Sequence, residues 1–455
     1  MSGRLSTYAV YRESELPWLR DLPKYWSASR IKSLFRERDE RSGNTPRTLL
    51  SLSRTHGLKP QSAISARIAS VEDLSSYRVC RPGYLVMNRM QAWSGMFAIA
   101  DREGVVSPDY AVFTQVRELA GAYFLHLFKT PLMVTEFARR SKGIGSGFNR
   151  LYTEDFGAIG VPVPPLDEQR AIVLFVDYVD RRVKRLIRAK RRLIALLNEQ
   201  KQAIIHRAVT RGLDPDVPLK PSGVDWLGDV PEHWDRRAVG QLFYIGRGQV
   251  TSHEFIAAHP GRYPVYSSQT ENDGVMGHID SFTFEGSCLT WTTDGAHAGT
   301  VFLRRGRFNC TNVCGTLKPR VELDMVFLLY ALSVETKRHV RLDINPKLMN
   351  NMMARIRVNL PPMEEQQRIA EFLAPQLMGI EQAIDRARSE IDLVREYGTR
   401  LFADVVTGKL DVREAAANLP EEPEQPDVGH LAETGLDTEE AIEELQELLA
   451  SGDDL

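Results

Sequence analysis

The stretch Ser14–Phe35, SELPWLRDLPKYWSASRIKSLF, returns 208 residues later as Ser222–Phe243, SGVDWLGDVPEHWDRRAVGQLF. Trp18 falls on Trp226, Asp21 on Asp229, Pro23 on Pro231, Trp26 on Trp234 and Phe35 on Phe243. Only six tryptophans occur in 455 residues, so two matched pairs eight residues apart mark a duplication. A second repeat follows at an offset of 197, where Val161–Asp214 aligns with Val358–Asp411 without a gap. Sixteen of its 54 positions are identical, among them Pro164-Pro165 with Pro361-Pro362 and Glu168-Gln169 with Glu365-Gln366. The segments between the repeats, 36–160 and 244–357, look unlike each other. The layout is therefore an opening motif, a private globular segment and a shared helix, written twice. A duplicated enzyme with diverged halves is the alternative at this point.

The second repeat reads as a long helix. Asp167-Glu168-Gln169 follows two prolines and places acidic side chains at the positive end of the helix dipole. No Pro or Gly then occurs before Gly212, and Ile172, Val176, Val179, Val183, Leu186, Leu193, Leu197 and Ile204 step by three and four, with Lys190 and Gln200 at two polar seam positions. That is a coiled-coil seam, about 65 Å long if helical from 167 to 211. Its copy, Glu364–Thr407, carries Ile369, Leu373, Ile380, Ala383, Ala387, Ile391, Val394, Leu401 and Val405, interrupted by Pro375, Gly379 and Gly398. One such helix cannot bury its seam alone, so the two are expected to pair antiparallel. The outer face holds Arg181-Arg182, Lys184-Arg185 and Arg188-x-Lys190-Arg191-Arg192, either a solvated face or a surface for phosphates or a partner subunit.

The formal net charge of −2 conceals an asymmetry. Residues 418–455 hold thirteen Asp and Glu and no Lys or Arg, so the rest of the chain carries an excess of about eleven positive charges. A basic body suits a polyanion. Cys80, Cys288, Cys310 and Cys314 are too few for a disulfide framework, and Cys310-x3-Cys314 lacks a second pair of ligands at zinc spacing. Met1–Tyr11 has no apolar run and no stretch is long enough to span a bilayer, so a soluble cytoplasmic protein is expected. The Pro- and Glu-rich residues 415–436 are expected to be disordered, with a short helix from Asp437 whose apolar stripe is Ile442, Leu445, Leu448 and Leu449.

Both inserts read as short strands and loops with some helix, such as 121–140, and their loops are rich in Asn, Gln, Ser and Arg. Those side chains pair with base edges, and they are also ordinary turn residues. Insert one ends in Arg139-Arg140-Ser141-Lys142-Gly143-Ile144-Gly145-Ser146-Gly147, where basic side chains and backbone N–H groups could meet phosphates. There is no Gly-Lys-Ser/Thr of a nucleotide loop, no GxGxxG after a strand, no methyltransferase Asn/Asp-Pro-Pro-Tyr/Phe and no metal-spaced histidines.

The doubled Leu/Val-Pro-x-x-Trp (22–26 and 230–234) and Pro-Pro-Leu/Met-Asp/Glu-Glu-Gln (164–169 and 361–366) resemble the specificity subunit of type I restriction–modification enzymes. The resemblance covers about 14–411; the acidic tail departs from it. It implies an α/β (α+β) fold with two target recognition domains, 1–160 and 215–357. Two long antiparallel helices, 161–214 and 358–413, would join them as a coiled coil with pseudo-twofold repeat, ahead of an acidic tail, 414–455. Each domain would read one half of a split, asymmetric site in double-stranded DNA while the helices fix the spacing. Two methylation subunits would dock on the helices and use S-adenosylmethionine, and restriction subunits would use ATP and Mg. The chain itself would hold no cofactor or metal and do no catalysis; the alternatives are a nonspecific DNA-binding coiled-coil scaffold or a self-sufficient nuclease or methyltransferase. Base-contact candidates are Asn88, Arg89, Gln91 and Trp93 in the first domain, although Trp93 could equally be core. Arg139, Arg140 and Lys142 are candidates there for the DNA backbone. In the second domain the candidates are Ser267, Ser268, Gln269 and Asn272, with Arg247 on Gly246-x-Gly248. Trp18, Trp26, Trp226 and Trp234 read as packing residues.

Overall fold

The structure is a computed structural model that describes residues 5–53, 57–64, 73–143, 149–269, 271–341 and 345–420. Two compact units divide the chain: residues 1–190 with 389–455, and residues 191–388. Both long helices thus contribute to both units. The expected tail residues from 421 onward, and Ile144–Gly147 of the glycine-rich loop, lie outside the described residues.

In the first unit the opening motif is a hairpin, Tyr11–Glu13 against Asp21–Pro23. Ser27–Arg30 then pairs antiparallel with Gly160–Val163, which sets the start of the chain beside the Pro-Pro step into the first long helix. Between them lies a four-stranded antiparallel sheet in the order Phe35–Arg38, Tyr110–Gln115, Leu85–Asn88, Phe97–Ile99. Strand residues alternate faces with a period of two. Leu85 and Met87 accordingly join the main core, while Val86 joins a smaller one with Leu50, Leu52, Leu58 and Cys80. Phe97, Phe128, Phe137 and Phe156 interlock in the main core, with centroids 5.0–5.9 Å apart. The expected helix 121–140 is two helices, Gly121–Phe128 and Pro131–Arg140. Pro131 cannot continue a helix but starts one well, and the Thr130 side chain caps it by accepting from the Met133 N–H.

The second unit repeats this order. Its opening hairpin is Leu219–Pro221 against Asp229–Pro231, and Asp235–Ala238 pairs with Arg357–Leu360. The four-stranded sheet runs Phe243–Arg247, Cys314–Pro319, Cys288–Thr292, Val301–Arg304, all antiparallel. The two inserts, unlike in sequence, therefore share one sheet topology. The second carries in addition a four-stranded sheet in the order Val275–Ile279, Pro260–Tyr266, Arg307–Cys310, Phe284–Glu285.

The long helices span Leu166–Arg211 and Met363–Val406, the latter passing through Pro375. In the first unit Ile172, Val176, Val179 and Val183 share a core with Leu401 and Val405, and Lys190 pairs with Glu390 at 2.7 Å. In the second, Ile205, Ala208 and Val209 share a core with Ile369, Leu373 and Leu377, and Lys201 pairs with Glu381. Partner numbers fall on one helix as they rise on the other, so within each unit the helices are antiparallel. The expected seam shifts along the chain. Leu193 is exposed and Ile204 only half-buried, with Ile205 in the core; on the second helix Ala383 is exposed beside buried Ile384, while the expected Ala387, Ile391, Leu401 and Val405 beyond it are buried. A strict heptad drifts about 20° per repeat on a helix of 3.6 residues per turn, so a seam projected over four heptads misses by most of one residue. Residues 414–417, expected at the head of the tail, belong instead to a short helix, Arg413–Ala417, in which Ala416 is buried.

The repeated glutamine explains the repeated motif. Buried Gln169 donates to the Pro164 carbonyl at 2.9 Å and accepts the Ala120 N–H at 3.0 Å; Ala120 precedes the helix Gly121–Phe128. Gln366 does the same, donating to Pro361 at 2.9 Å and accepting from Asp324 N–H at 3.1 Å, at the cap of helix Met325–Glu335. Each therefore ties a long helix to its globular segment. Substituting Gln366→Leu keeps the volume but strands a buried donor and acceptor. Urea unfolding followed by tryptophan fluorescence should show a loss of about 2–3 kcal/mol, whereas Gln202→Leu on the exposed helix face should change little.

Candidate nucleic-acid interface

In the first sheet, the strand Leu85–Asn88 leaves the core into a loop with a single 3-10 turn, Ala92–Ser94, closed by Gly95 at φ 82. A side chain at Gly95 would press on Val134 at 3.2 Å, so the loop is seated on the helix Pro131–Arg140. Asn88 is buried and spends its amide inside the loop, donating to Gln91 Oε1 at 3.2 Å and accepting the Met90 N–H at 3.1 Å. Arg89 is half-buried, and its guanidinium donates to the carbonyls of Pro108 at 2.7 Å and Asp109 at 2.9 Å. Burial, with Arg150 and Arg78 nearby, pulls its pKa down. Arg150 pairs with the Asp109 carboxylate at 3.0 Å, so the Ser-Pro-Asp-Tyr turn (107–110) is braced from both sides. Gln91 and Trp93 are the members that reach solvent. Trp93 is 38% exposed with its indole N–H on the Met90 carbonyl at 3.0 Å, which removes it from the core.

The three basic candidates at the end of this segment all have partners. Arg139 and Arg140 both grip Glu136, at 2.8 and 2.6 Å, holding its carboxyl below the usual range against the burial that opposes ionisation. Lys142 meets Asp155 at 2.8 Å. The Arg139–Arg140–Glu136 group still presents one net positive charge, and Arg139 remains mostly exposed.

The second segment separates the sequence candidates. Arg247 ends its strand exposed and donates to Thr293 Oγ1 at 3.4 Å. Its flanking glycines serve close packing. A Cβ at Gly248 would lie 2.2 Å from the Cys310 carbonyl oxygen, and one at Gly246 2.7 Å from Thr316 Oγ1. Ser267, Ser268, Gln269 and Asn272 lie on the connection between Pro260–Tyr266 and Val275–Ile279 of the additional sheet. There Ser267 N–H donates to the Gly274 carbonyl at 2.8 Å and Gln269 Nε2 to the Val275 carbonyl at 2.6 Å, while Ser268 is half-buried.

By sheet position, the counterpart of the Asn88–Gly95 loop is a different stretch. It is Thr293–Thr300, between Cys288–Thr292 and Val301–Arg304. His297 is exposed on it, and Asp294 bridges to Lys347. Nothing in the composition of this stretch matches Asn88–Trp93, so the sequence does not single it out; equivalence appears only once the strands are paired. Also missed was an exposed group on the additional sheet, where Arg262 lies over Tyr263 at 5.0 Å and Arg307 over Phe282 at 4.7 Å. Basic and aromatic side chains interleaved in this way suit a polyanion. In the sequence only Arg262-Tyr263 are adjacent, since Phe282 comes from the connection before Phe284–Glu285 and Arg307 from another strand.

All four cysteines are buried and unbridged, and burial raises the thiol pKa of Cys80 and Cys288 to about 11. Among the described residues no cluster of His, Cys, Asp and Glu forms a metal site, and no helix is long and apolar enough to cross a membrane.

Comparison with known proteins places this geometry. Residues 75–195 and 231–385 match the family described as type I restriction modification DNA specificity domain. The type I restriction enzyme MpnII specificity subunit of Mycoplasma pneumoniae is 41% identical over 137 residues, 30% of this chain and 41% of the relative. S.MpnORF507P of the same organism is 44% identical over 131 residues, 28% of this chain and 36% of the relative. The chain thus matches well under half the length of these relatives. A solved chain, from work on complex assembly and conformational transition of the type I R-M system, superposes with a TM-score of 0.65. It covers 86% of this chain and 99% of its own length at 17% identity, a likeness of fold. With the family matched on both globular segments and in the two stretches of helix that support them, the chain belongs to the type I restriction–modification DNA specificity family.

Proposed function

We propose that this chain is the sequence-reading subunit of a type I restriction–modification complex and is not itself catalytic. The observation that carries the reading is one sheet topology built twice, with different side chains on the loops that leave it. A common frame gives two similar placements; dissimilar loops give two different half-sites. The proposed recognition segments are 1–160 and 215–357, and the spacer helices are 161–214 and 358–413. In this reading the helices set the distance between half-sites and dock two methylation subunits. Those subunits would supply S-adenosylmethionine, restriction subunits would supply ATP and Mg chemistry, and the complex would act in the cytoplasm.

Within the first domain, Gln91 and Trp93 are the proposed base-contacting side chains, because they alone of the loop candidates face solvent. Asn88 and Arg89 would hold the loop for them. Arg139, Arg140 and Lys142 would meet phosphates, and Arg139, the most open of the arginine pair, would lose little on leaving Glu136. In the second domain Arg247 and the Thr293–Thr300 loop join Ser267, Ser268, Gln269 and Asn272 as the proposed reading surface.

Replacing residues 244–357 by another recognition domain should alter one half of the methylated motif and leave the other half intact. Sequencing of modified adenines in cells holding the chain and its methylation subunit reads this directly; an unaltered motif would sink the reading. The purified chain alone, with DNA, Mg and S-adenosylmethionine, should give neither cleavage nor methyl transfer, and activity without partners would favour a self-sufficient enzyme.

Point variants should divide by role. Gln91→Ala should weaken discrimination at one base of the first half-site by about tenfold or more. Arg139→Ala should instead weaken binding evenly across sequences and lower the salt slope by about one. Titrations of matched and mismatched duplexes at several salt concentrations distinguish the two.

A further inference from the structure

Among the described residues of the second unit, the most deeply buried charged side chain is that of Arg304, the last residue of the strand Val301–Arg304. Its side chain is only 1% exposed. A buried guanidinium is tolerated only when its charge and donors are matched. The matching groups come from two places. Its own sheet supplies Thr290 Oγ1, 3.3 Å from Nε, and the Phe302 ring at 4.4 Å. The additional sheet and its connection supply the Tyr266 ring, 3.7 Å away, and the Asp273 carboxylate, 2.7 Å from Nη1. Asp273 is itself 69% exposed, so a loop at the surface reaches down to neutralise a charge in the interior.

That reach has a conformational cost in the loop. Asn272 and Asp273 are the non-glycine residues with positive φ among the described residues, at 49° and 53°, and Gly274 follows at 78°. Three successive left-handed residues persist only where the surroundings dictate them. The surroundings here are the arginine and the loop's own backbone. A Cβ on Gly274 would lie 3.2 Å from Arg304 Nη2 and 3.0 Å from the Gln269 carbonyl oxygen. The same turn carries Ser267, Ser268, Gln269 and Asn272.

We propose that Arg304 is a positioning residue for base recognition: through Asp273 and Tyr266 it holds this turn in its reading shape, and so decides which bases the second half-site accepts. The inference rests on the reading of the second globular segment as a DNA-reading domain. The test uses the full chain assembled with its methylation subunit, mapping methylated adenines for Asp273→Asn, for Arg304→Lys and for the 244–357 replacement. Asp273→Asn keeps the size of an exposed side chain while removing the counter-charge. It should relax at least one base of the second half-site, with methylation at formerly rejected sites rising about tenfold. The first half-site should stay as it is, while the melting temperature falls because the buried guanidinium loses its counter-charge. Arg304→Lys keeps the charge without the planar stacking, and should relax the same positions. An unchanged motif for Asp273→Asn beside a changed motif for the domain replacement overturns the proposal and leaves the domain reading standing. An unchanged motif for the replacement overturns the reading beneath it. Loss of methylation at both halves with a lowered melting temperature also overturns the proposal, because it reports folding alone.

Discussion

Two buried glutamines hold the architecture to its sequence. A side-chain amide offers one acceptor and two donors, and burial makes each unmet one expensive. Gln169 and Gln366 meet that demand in the same way, with a proline carbonyl one turn back and the N–H at the cap of a helix in the globular segment. A carboxylate could not donate to the proline, and an aliphatic side chain would satisfy neither group. The adjacent glutamates tie the same helix starts to the opening motifs, Glu168 to Tyr8 and Tyr25, Glu365 to His233. The pair Glu-Gln is therefore a fastening between long helix and globular segment.

The opening tryptophans fasten the other end. Trp26 packs against Gly408, which ends the second long helix, and Trp234 against Gly212, which ends the first. Both glycines have positive φ, the usual left-handed stop of a helix, and a Cβ on Gly408 would fall 2.9 Å from the Trp26 ring. Neither indole N–H finds a hydrogen-bond partner among the described residues, although both rings are buried. What these positions require is the volume of a large flat ring in an apolar recess, rather than its donor. Each globular segment is thus closed by the start of one repeat's helix and the end of the other's, which a chain of two repeats can supply to both.

The parts legible in the sequence were those repeated within it. Trp26 with Trp234 and Gln169 with Gln366 could be aligned because identical constraints had kept identical residues. The seam was legible along most of the second helix, from Ile369 and Leu373 to Leu401 and Val405 with Ala383 the exception, and at the start of the first helix, where Ile172 and Val176 hold it before Leu193 falls out of register. The common sheet of the inserts was not legible. Its inner strands Leu85–Asn88 and Cys288–Thr292 are buried on both faces, so no alternation marks them, and the two inserts share no identity that would align them. Loop candidates fared by a similar logic. Composition located Asn88–Trp93, but only exposure separates Gln91 and Trp93, which face out, from Asn88 and Arg89, which serve the loop. Thr293–Thr300 could not be chosen, because its importance lies in a strand pairing.

A division of labour follows from where the polar groups are satisfied. The glutamines bond backbone groups at helix starts and the paired helices bury apolar side chains against each other, so no recognition-loop side chain is needed to complete them. The loop side chains either satisfy one another, as Asn88 and Gln91 do, or face solvent. Changes at Trp93 or His297 therefore leave no buried side-chain donor or acceptor stranded, whereas a change at Gln91 removes the acceptor of the buried Asn88 amide. Arg304 is the exception that joins the two levels, since its burial depends on a loop carboxylate. At that point the stability of the core and the shape of an exposed turn are the same interaction.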